Sequence, residues 1–347
     1  MFTAIFPCPN PNPTDEAADT QATETGKEFT LPATVRVAQE AMRTRFEIVL
    51  HDPNRPEADL RAAGEAALAE IAEVERWLSV YRPEAALYLL NARAADEPVP
   101  VDGRVWAFLQ RAQEYTEQTG GTFDLTVGPL LQLWNRGATD ALPDDAERTE
   151  ALSRVGMEKM VMADPETRTV RFTRSGVRLD PGALGKGYAL DRAGELLREY
   201  GIRRALLHGG TSSVVAIGSG WRIALQHPRL PGETLGECVL ADAALSVSAV
   251  HGKTFYAGGR SFGHVIDPRT GFPVENNLLT AVVAPTASDA EALSTGLLVG
   301  GAEFLPQWAA RFPDAGFLLV ENEPTGKGDV RVRTAGKNPG WKQHGES

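Results

Sequence analysis

Five short stretches carry the residue types that chemistry needs. In Gly263-His264-Val265-Ile266-Asp267-Pro268-Arg269-Thr270-Gly271-Phe272-Pro273, a histidine on a short apolar strand runs straight into a turn. Asp267 and Pro268 suit the first turn positions, and Gly271 tolerates the left-handed backbone that closes such a turn. An imidazole held beside a fixed loop can take or give a proton near neutral pH. A buried structural histidine followed by an ordinary turn has the same pattern, so this stretch needs partners elsewhere in the chain.

The second stretch, Asp180-Pro181-Gly182-Ala183-Leu184-Gly185-Lys186-Gly187, sets glycines and a lysine where a helix is predicted to begin. Exposed N–H groups and the positive end of the helix dipole favour an anion there, phosphate above all. It is not a Walker loop, because Asp180 and Gly187 stand where that motif needs Gly and Ser or Thr. A plain glycine turn before a helix fits the same residues. In Ser288-Asp289-Ala290-Glu291-Ala292-Leu293-Ser294-Thr295, Glu291 and Thr295 share one face of a predicted helix. Two oxygen ligands so placed could hold Mg²⁺. Ser288-x-x-Glu291 also reads as a capping box, in which the glutamate satisfies a backbone N–H instead. His208-Gly209-Gly210-Thr211 lies between two predicted strands, either as a glycine hairpin or as a ligand loop. In Gly121-Thr122-Phe123-Asp124 an aromatic beside an acid could clasp a heterocycle. The plainer reading makes Phe123 core and Asp124 a cap.

These stretches need rigid elements to hold them. From 56 to 81 the residues Leu60, Ala63, Ala67, Ile71, Val74 and Leu78 recur at helical spacing. A second helix is predicted over 105–119, closed by Gly120-Gly121, and a third over 188–200, ending at Gly201. Short strands are predicted at 46–50, 160–162, 169–172, 205–207, 213–216, 221–225 and 280–283. Hairpins mix with helices instead of repeating a βαβ unit, which predicts an α+β fold. Residues 1–33, rich in Pro, Asn, Thr, Glu and Ala without periodicity, read as a flexible acidic leader. The body is expected over 34–322, and 323–347 as a polar tail with one candidate strand at 329–333.

The 347 residues, 42% of them hydrophobic, can bury one large core or two modest ones. A formal charge of -11 argues against nonspecific nucleic-acid binding, which depends on Lys and Arg neutralising phosphates, and leaves a small-molecule substrate as the expectation. Cys8 and Cys238 are the only cysteines, so neither a disulfide framework nor a Cys-x-x-Cys metal site is expected. No apolar run approaches the roughly 18 residues of a membrane span, and 1–6 is too short for a signal-peptide core. A cytoplasmic location is therefore expected, with the periplasm or cell envelope as the alternative if the true start differs.

Taken in order, the motifs resemble the FAD:protein FMN transferases, the ApbE family. The likeness covers roughly 36–320: Met42-Arg43-Thr44, Leu78 through Arg82, Leu90-Asn91, Gly121 through Asp124, Asp180 through Asp191, Gly209-Gly210, His264 through Gly271, and Glu291 to Thr295. The resemblance implies two mixed α+β lobes around a central cleft that binds FAD. It implies Mg²⁺-dependent transfer of FMN to a threonine or serine of an acceptor protein, releasing AMP. By position, Met42, Tyr81, Thr122, Phe123, Asp124, Asp180, Lys186, Gly209, Gly210 and Ile266 match FAD contacts. Ala183, through its carbonyl, with Glu291 and Thr295 matches the metal site. His264 and Lys186 are the candidate catalytic residues. The chain departs from the family pattern at Arg43, where glycine is usual, at Glu291, where aspartate is usual, and at His208, Thr211 and Ala249. Those departures keep a second reading open: an FAD-binding protein that has lost turnover, or that only hydrolyses FAD to FMN and AMP.

Overall fold

Eight strands pair antiparallel in one sheet, in the order Val330–Gly336, Gly316–Asn322, Asn277–Ala284, Ala243–Ala249, Ser213–Ile217, Ala205–Gly209, Thr44–His51 and Thr34–Ala41. The computed structural model describes residues 2–5, 34–136, 141–250, 254–323, 330–338 and 341–343. Central strands such as Asn277–Ala284 are buried along their whole length, because both faces of the sheet are covered. Helices Glu57–Leu78, Gly185–Glu199 and Ala287–Gly300 cover one face, where Ile48, Leu207 and Val215 meet Ile71, Ala193 and Leu293 in one core. The other face packs on a smaller antiparallel sheet of Phe2–Ile5, Trp221–Gln226, Thr234–Leu240 and Lys342–Gln343. There Val49, Leu206 and Val214 meet Ile223, Leu225 and Cys238. A third, small core of Leu130, Trp134, Phe262 and Ile266 lies beneath the hairpin Thr254–Ala257/Arg260–Gly263 and carries the histidine loop.

The fold is α+β, as the sequence predicts. The four predicted helices are present as Glu57–Leu78, Gly103–Gln118, Gly185–Glu199 and Ala287–Gly300. The strand expected at 329–333 is Val330–Gly336, and it extends the main sheet instead of standing in a separate tail. Its alternating Val330 and Val332 pack on the core between the two sheets. Phe2–Ile5, placed by sequence in the leader, pairs with Trp221–Gln226. The rest of the leader, Cys8 included, lies outside the described residues. Among the described residues no helix is long and apolar enough to cross a membrane.

Thr34–Ala41 and Thr44–His51 form a hairpin that the sequence does not advertise. Its two-residue turn, Met42-Arg43, has positive φ at both positions, 50° and 63°, the geometry usually assigned to Asn-Gly or Gly-Gly. Arg43 is exposed, so nothing buried compensates for its left-handed backbone. Arg43→Gly is expected to stabilise the protein by about 1 kcal/mol, the approximate cost of holding an L side chain in that region. A urea midpoint equal to or below that of the wild type would show that the turn is not strained.

Candidate functional site

Two helix N-termini exchange carboxylates. The Gly185–Glu199 helix begins without a side-chain cap of its own, and the N–H of Gly187 donates to Glu291 Oε2 at 2.6 Å. In return Asp191, on that helix, accepts from the N–H groups of Ala287 (2.6 Å) and Ser288 (2.8 Å) and from the Ser288 hydroxyl (2.6 Å). Each carboxylate thus satisfies N–H groups that have no partner within their own helix and meets the positive end of a helix dipole. The helices approach so closely that a Cβ on Gly187 would lie 2.4 Å from the Ala287 carbonyl oxygen, so glycine is needed there. The capping-box reading of Ser288-x-x-Glu291 does not hold. The N-cap is Thr286, which accepts from the N–H of Asp289, and this leaves Glu291 to face inward.

Glu291 is 3% exposed, yet its carboxylate is well supplied with donors. Lys186 Nζ donates to Oε1, Ser213 Oγ lies 3.4 Å from the same oxygen, and Gly187 holds Oε2. One turn along, Thr295 Oγ1 is 3.2 Å from Ser248 Oγ, which also lies 2.9 Å from Ser294 Oγ. Ser246 and Thr280 complete a buried layer of hydroxyls between this helix and the sheet. Sequence reasoning gave Asp191 no role of its own and, of this layer, assigned one only to Thr295. The alternation of Ser246 and Ser248 on a strand facing Ser294 and Thr295 is the signal for the rest.

Burial pushes the Asp191 carboxyl up to about 6, against the pull of its three hydrogen bonds. The folded-state value lies above the unfolded value of 3.8, so between those pH values the native state binds more protons than the unfolded one. Stability contributed at this site therefore falls as pH rises from about 4 to about 6 and is level above that. The unfolding free energy of the wild type minus that of Asp191→Asn should decline across this window, by an amount on the order of 3 kcal/mol. A difference that is flat or rises with pH would contradict this account of Asp191.

The other sequence candidates sit on neighbouring elements, and of these the Thr122 segment touches the Glu291 helix. The end of the Glu57–Leu78 helix lies beside two of them, Met42 and Tyr81. Glu75 accepts from the Met42 N–H at 2.8 Å, Leu78 abuts Gly185, and Tyr81, 70% exposed, follows. Gly210 donates to the Arg45 carbonyl at 2.8 Å, which sets the Gly209-Gly210 turn beside the Met42-Arg43 hairpin. The Asp180 N–H donates to the Leu125 carbonyl at 2.7 Å, while Asn91 clamps both backbone groups of Leu179. A Cβ on Gly296 would lie 3.0 Å from Thr122 Oγ1, so the Thr122 segment leans on the Glu291 helix.

Thr122, Phe123 and Asp124 present little side chain to solvent. Thr122 and Phe123 are each 1% exposed, and Phe123 packs edge-on against Tyr115. Asp124 Oδ1 accepts from the Thr126 N–H (2.7 Å) and hydroxyl (2.5 Å), and Oδ2 from the Met157 N–H (3.0 Å). Burial raises its carboxyl above the usual range. The side chains of Phe123 and Asp124 are thus spent on the fold, and this segment can meet a ligand through its backbone.

His264 is half-buried and leads into the turn that the sequence predicts. Asp267 accepts from the N–H groups of Arg269 and Gly271, Gly271 has a φ of 75°, and Ile266 bridges Pro273. Trp134 Nε1 and Arg148 hold the carbonyls of Gly271 and Thr270. Ile266 is 4% exposed, so its side chain belongs to the small core. Arg269 reaches back to the ring of Phe304 and to Gly121.

The donors around Glu291 suit a hard cation. Beside the nitrogen donors Lys186 and Gly187, the Glu291 carboxylate and, one turn along, the hydroxyls of Thr295 and Ser248 supply oxygens of the type that Mg²⁺ accepts together with waters and phosphate oxygens. Among the described residues, no three His, Cys, Asp or Glu side chains come together, so a metal here would depend on such mixed oxygens. A separate hollow of about 390 Å³, lined by Leu235, Leu318, Val332, Lys337 and Trp341, lies away from these residues.

The model of the ApbE family matches residues 42–319. The chain is 30% identical over 285 residues to the FAD:protein FMN transferase of Treponema pallidum (strain Nichols), covering 77% of this chain and 79% of that one. It is also 30% identical over 260 residues to the FAD:protein FMN transferase of Salmonella typhimurium, covering 72% and 74%. Among solved structures, the ApbE protein of Thermotoga maritima superposes with a TM-score of 0.75 at 27% identity, over 86% of this chain and 96% of that one.

Proposed function

The chain belongs to the ApbE family as an enzyme of the FAD:protein FMN transferase kind, and we propose that it moves FMN from FAD to a threonine or serine hydroxyl of an acceptor protein, with Mg²⁺ and release of AMP. One observation carries this reading: the glycine turn with Lys186 and the helix with Glu291, 105 residues apart in sequence, meet at one carboxylate. A dinucleotide needs a phosphate cradle and a counter-charge in the same place, and this junction offers both.

In this reading the FAD pyrophosphate lies at the N-terminus of the Gly185–Glu199 helix, with Lys186 as its cation. Met42, Tyr81, Asp180, Gly209 and Gly210 border the dinucleotide. Thr122, Phe123, Asp124 and Ile266 shape its pocket from behind, through backbone and packing. Glu291, Thr295 and the Ala183 carbonyl would hold the metal. Bound Mg²⁺ would neutralise charge on the nonbridging phosphate oxygens. His264 takes the proton of the acceptor hydroxyl, whose oxygen attacks the flavin-side phosphorus. The bond from that phosphorus to the bridging oxygen breaks, and AMP departs with the bridging oxygen and its electron pair. The proton on His264 then returns to solvent.

The relatives are named as transferases, which favours transfer over mere carriage of FAD. Chromatography of the nucleotides after incubation with FAD, Mg²⁺ and a pool of threonine- and serine-containing peptides tests the reading. AMP should appear with Mg²⁺ and stay absent with a chelator. FAD left intact at every magnesium concentration would overturn it, and equal free FMN and AMP would mark hydrolysis instead.

A further inference from the structure

We propose that Lys186 is an exchangeable counterion: its ammonium neutralises Glu291 until a divalent cation takes that carboxylate, and it then moves onto the phosphates of the dinucleotide. The inference rests on the metal-assisted transfer proposed above and deepens it. Lys186 and Glu291 form a contact ion pair whose side chains are 22% and 4% exposed. A carboxylate so deeply buried needs a positive partner, and removing the partner leaves an uncompensated charge. In the structure described here that partner is the ammonium, on Oε1, with Ser213 Oγ also near that oxygen and Gly187 on Oε2.

A divalent cation coordinated by Glu291 would bring a second positive charge against an ammonium already touching the same oxygen. One of them must leave. The backbone N–H of Gly187 cannot, because the helix fixes it, whereas lysine is a compact charge on a flexible four-carbon stem. Lys186 projects from the first turn of the Gly185–Glu199 helix, whose N-terminus is the phosphate cradle of the proposed reaction. The displaced ammonium therefore has an anion within reach only when a dinucleotide is bound. Metal alone must displace Lys186 without compensation, and metal with FAD does not. The two ligands thus bind cooperatively through one side chain.

Titrating Mn²⁺ against the full-length protein by electron paramagnetic resonance, without nucleotide, tests this independently of turnover. Lys186→Met and Lys186→Gln should each bind Mn²⁺ about tenfold more tightly than the wild type, and Lys186→Arg should bind like the wild type. Lys186→Gln retains a donor for Glu291 and decides the matter if Lys186→Met fails to fold. Adding FAD should tighten Mn²⁺ binding to the wild type and have less effect on the Met and Gln variants. A lysine that merely supports the fold would give variants with weaker or unchanged metal binding, and that result would overturn the exchange alone. If neither the wild type nor the variants bind Mn²⁺ even with FAD, the metal-assisted reading itself fails.

Discussion

Glu291→Ala should abolish FMN transfer and loosen the junction between the two site helices. The substitution removes the carboxylate that Lys186, Gly187 and Ser213 share. Two separate losses follow. The ammonium of Lys186 is left with no carboxylate at a position where its side chain is only 22% exposed, and the Gly187 N–H loses its acceptor. Breaking a buried pair from one side typically costs about 3 kcal/mol, so the urea midpoint should drop by a corresponding amount. At the site, loss of the only carboxylate among the proposed metal ligands should reduce transfer at least about a thousandfold, since several kcal/mol of charge stabilisation on the phosphate disappear. Steady-state turnover at saturating FAD and a denaturation curve measure the two separately. A variant that unfolds at the wild-type midpoint and turns over within about tenfold of it would remove Glu291 from the account.

His264→Ala is expected to behave differently, losing chemistry and keeping structure. The loop after His264 is held by Asp267, by the Trp134 bond to the Gly271 carbonyl and by Arg148 on Thr270, and none of these uses the imidazole. The variant should keep its stability and bind FAD within about threefold of the wild type, while transfer drops by about 10²–10⁴, the range for loss of a general base. Single-turnover rates paired with quenching of flavin fluorescence separate chemistry from binding. Loss of FAD affinity in proportion to rate would assign His264 to binding instead.

Much of the fold was legible because its signals are local. The stripe Leu60, Ala63, Ala67, Ile71, Val74 and Leu78 marks a helix by spacing alone, and the helix is there. The hairpin at Met42-Arg43 escaped notice because its turn lacks the glycine or asparagine that normally reports positive φ. Gly316–Asn322 gives no clear period, since both of its faces are covered and its apolar residues run consecutively. The site was legible in its parts and not in its wiring. Lys186 and Glu291 each stood out by type, but their contact joins residues far apart in the chain. Asp191 looks like an ordinary mid-helix carboxylate until the Ala287–Gly300 helix is set against it. For Asp124 the sequence left a ligand contact and a cap side by side, and only the structure shows its carboxylate accepting from Thr126 and Met157.

The central claim is that a flavin phosphate ends up covalently on another protein's hydroxyl, and mass spectrometry of the acceptor tests it most directly. After incubation of a threonine-containing acceptor peptide with wild-type protein, FAD and Mg²⁺, the account predicts peptide bearing one FMN in ester linkage, with one AMP released per label and labelling slowed about 10²–10⁴-fold in His264→Ala. Consumption of FAD that leaves every peptide unlabelled, or labelling by His264→Ala at the wild-type rate, would contradict it.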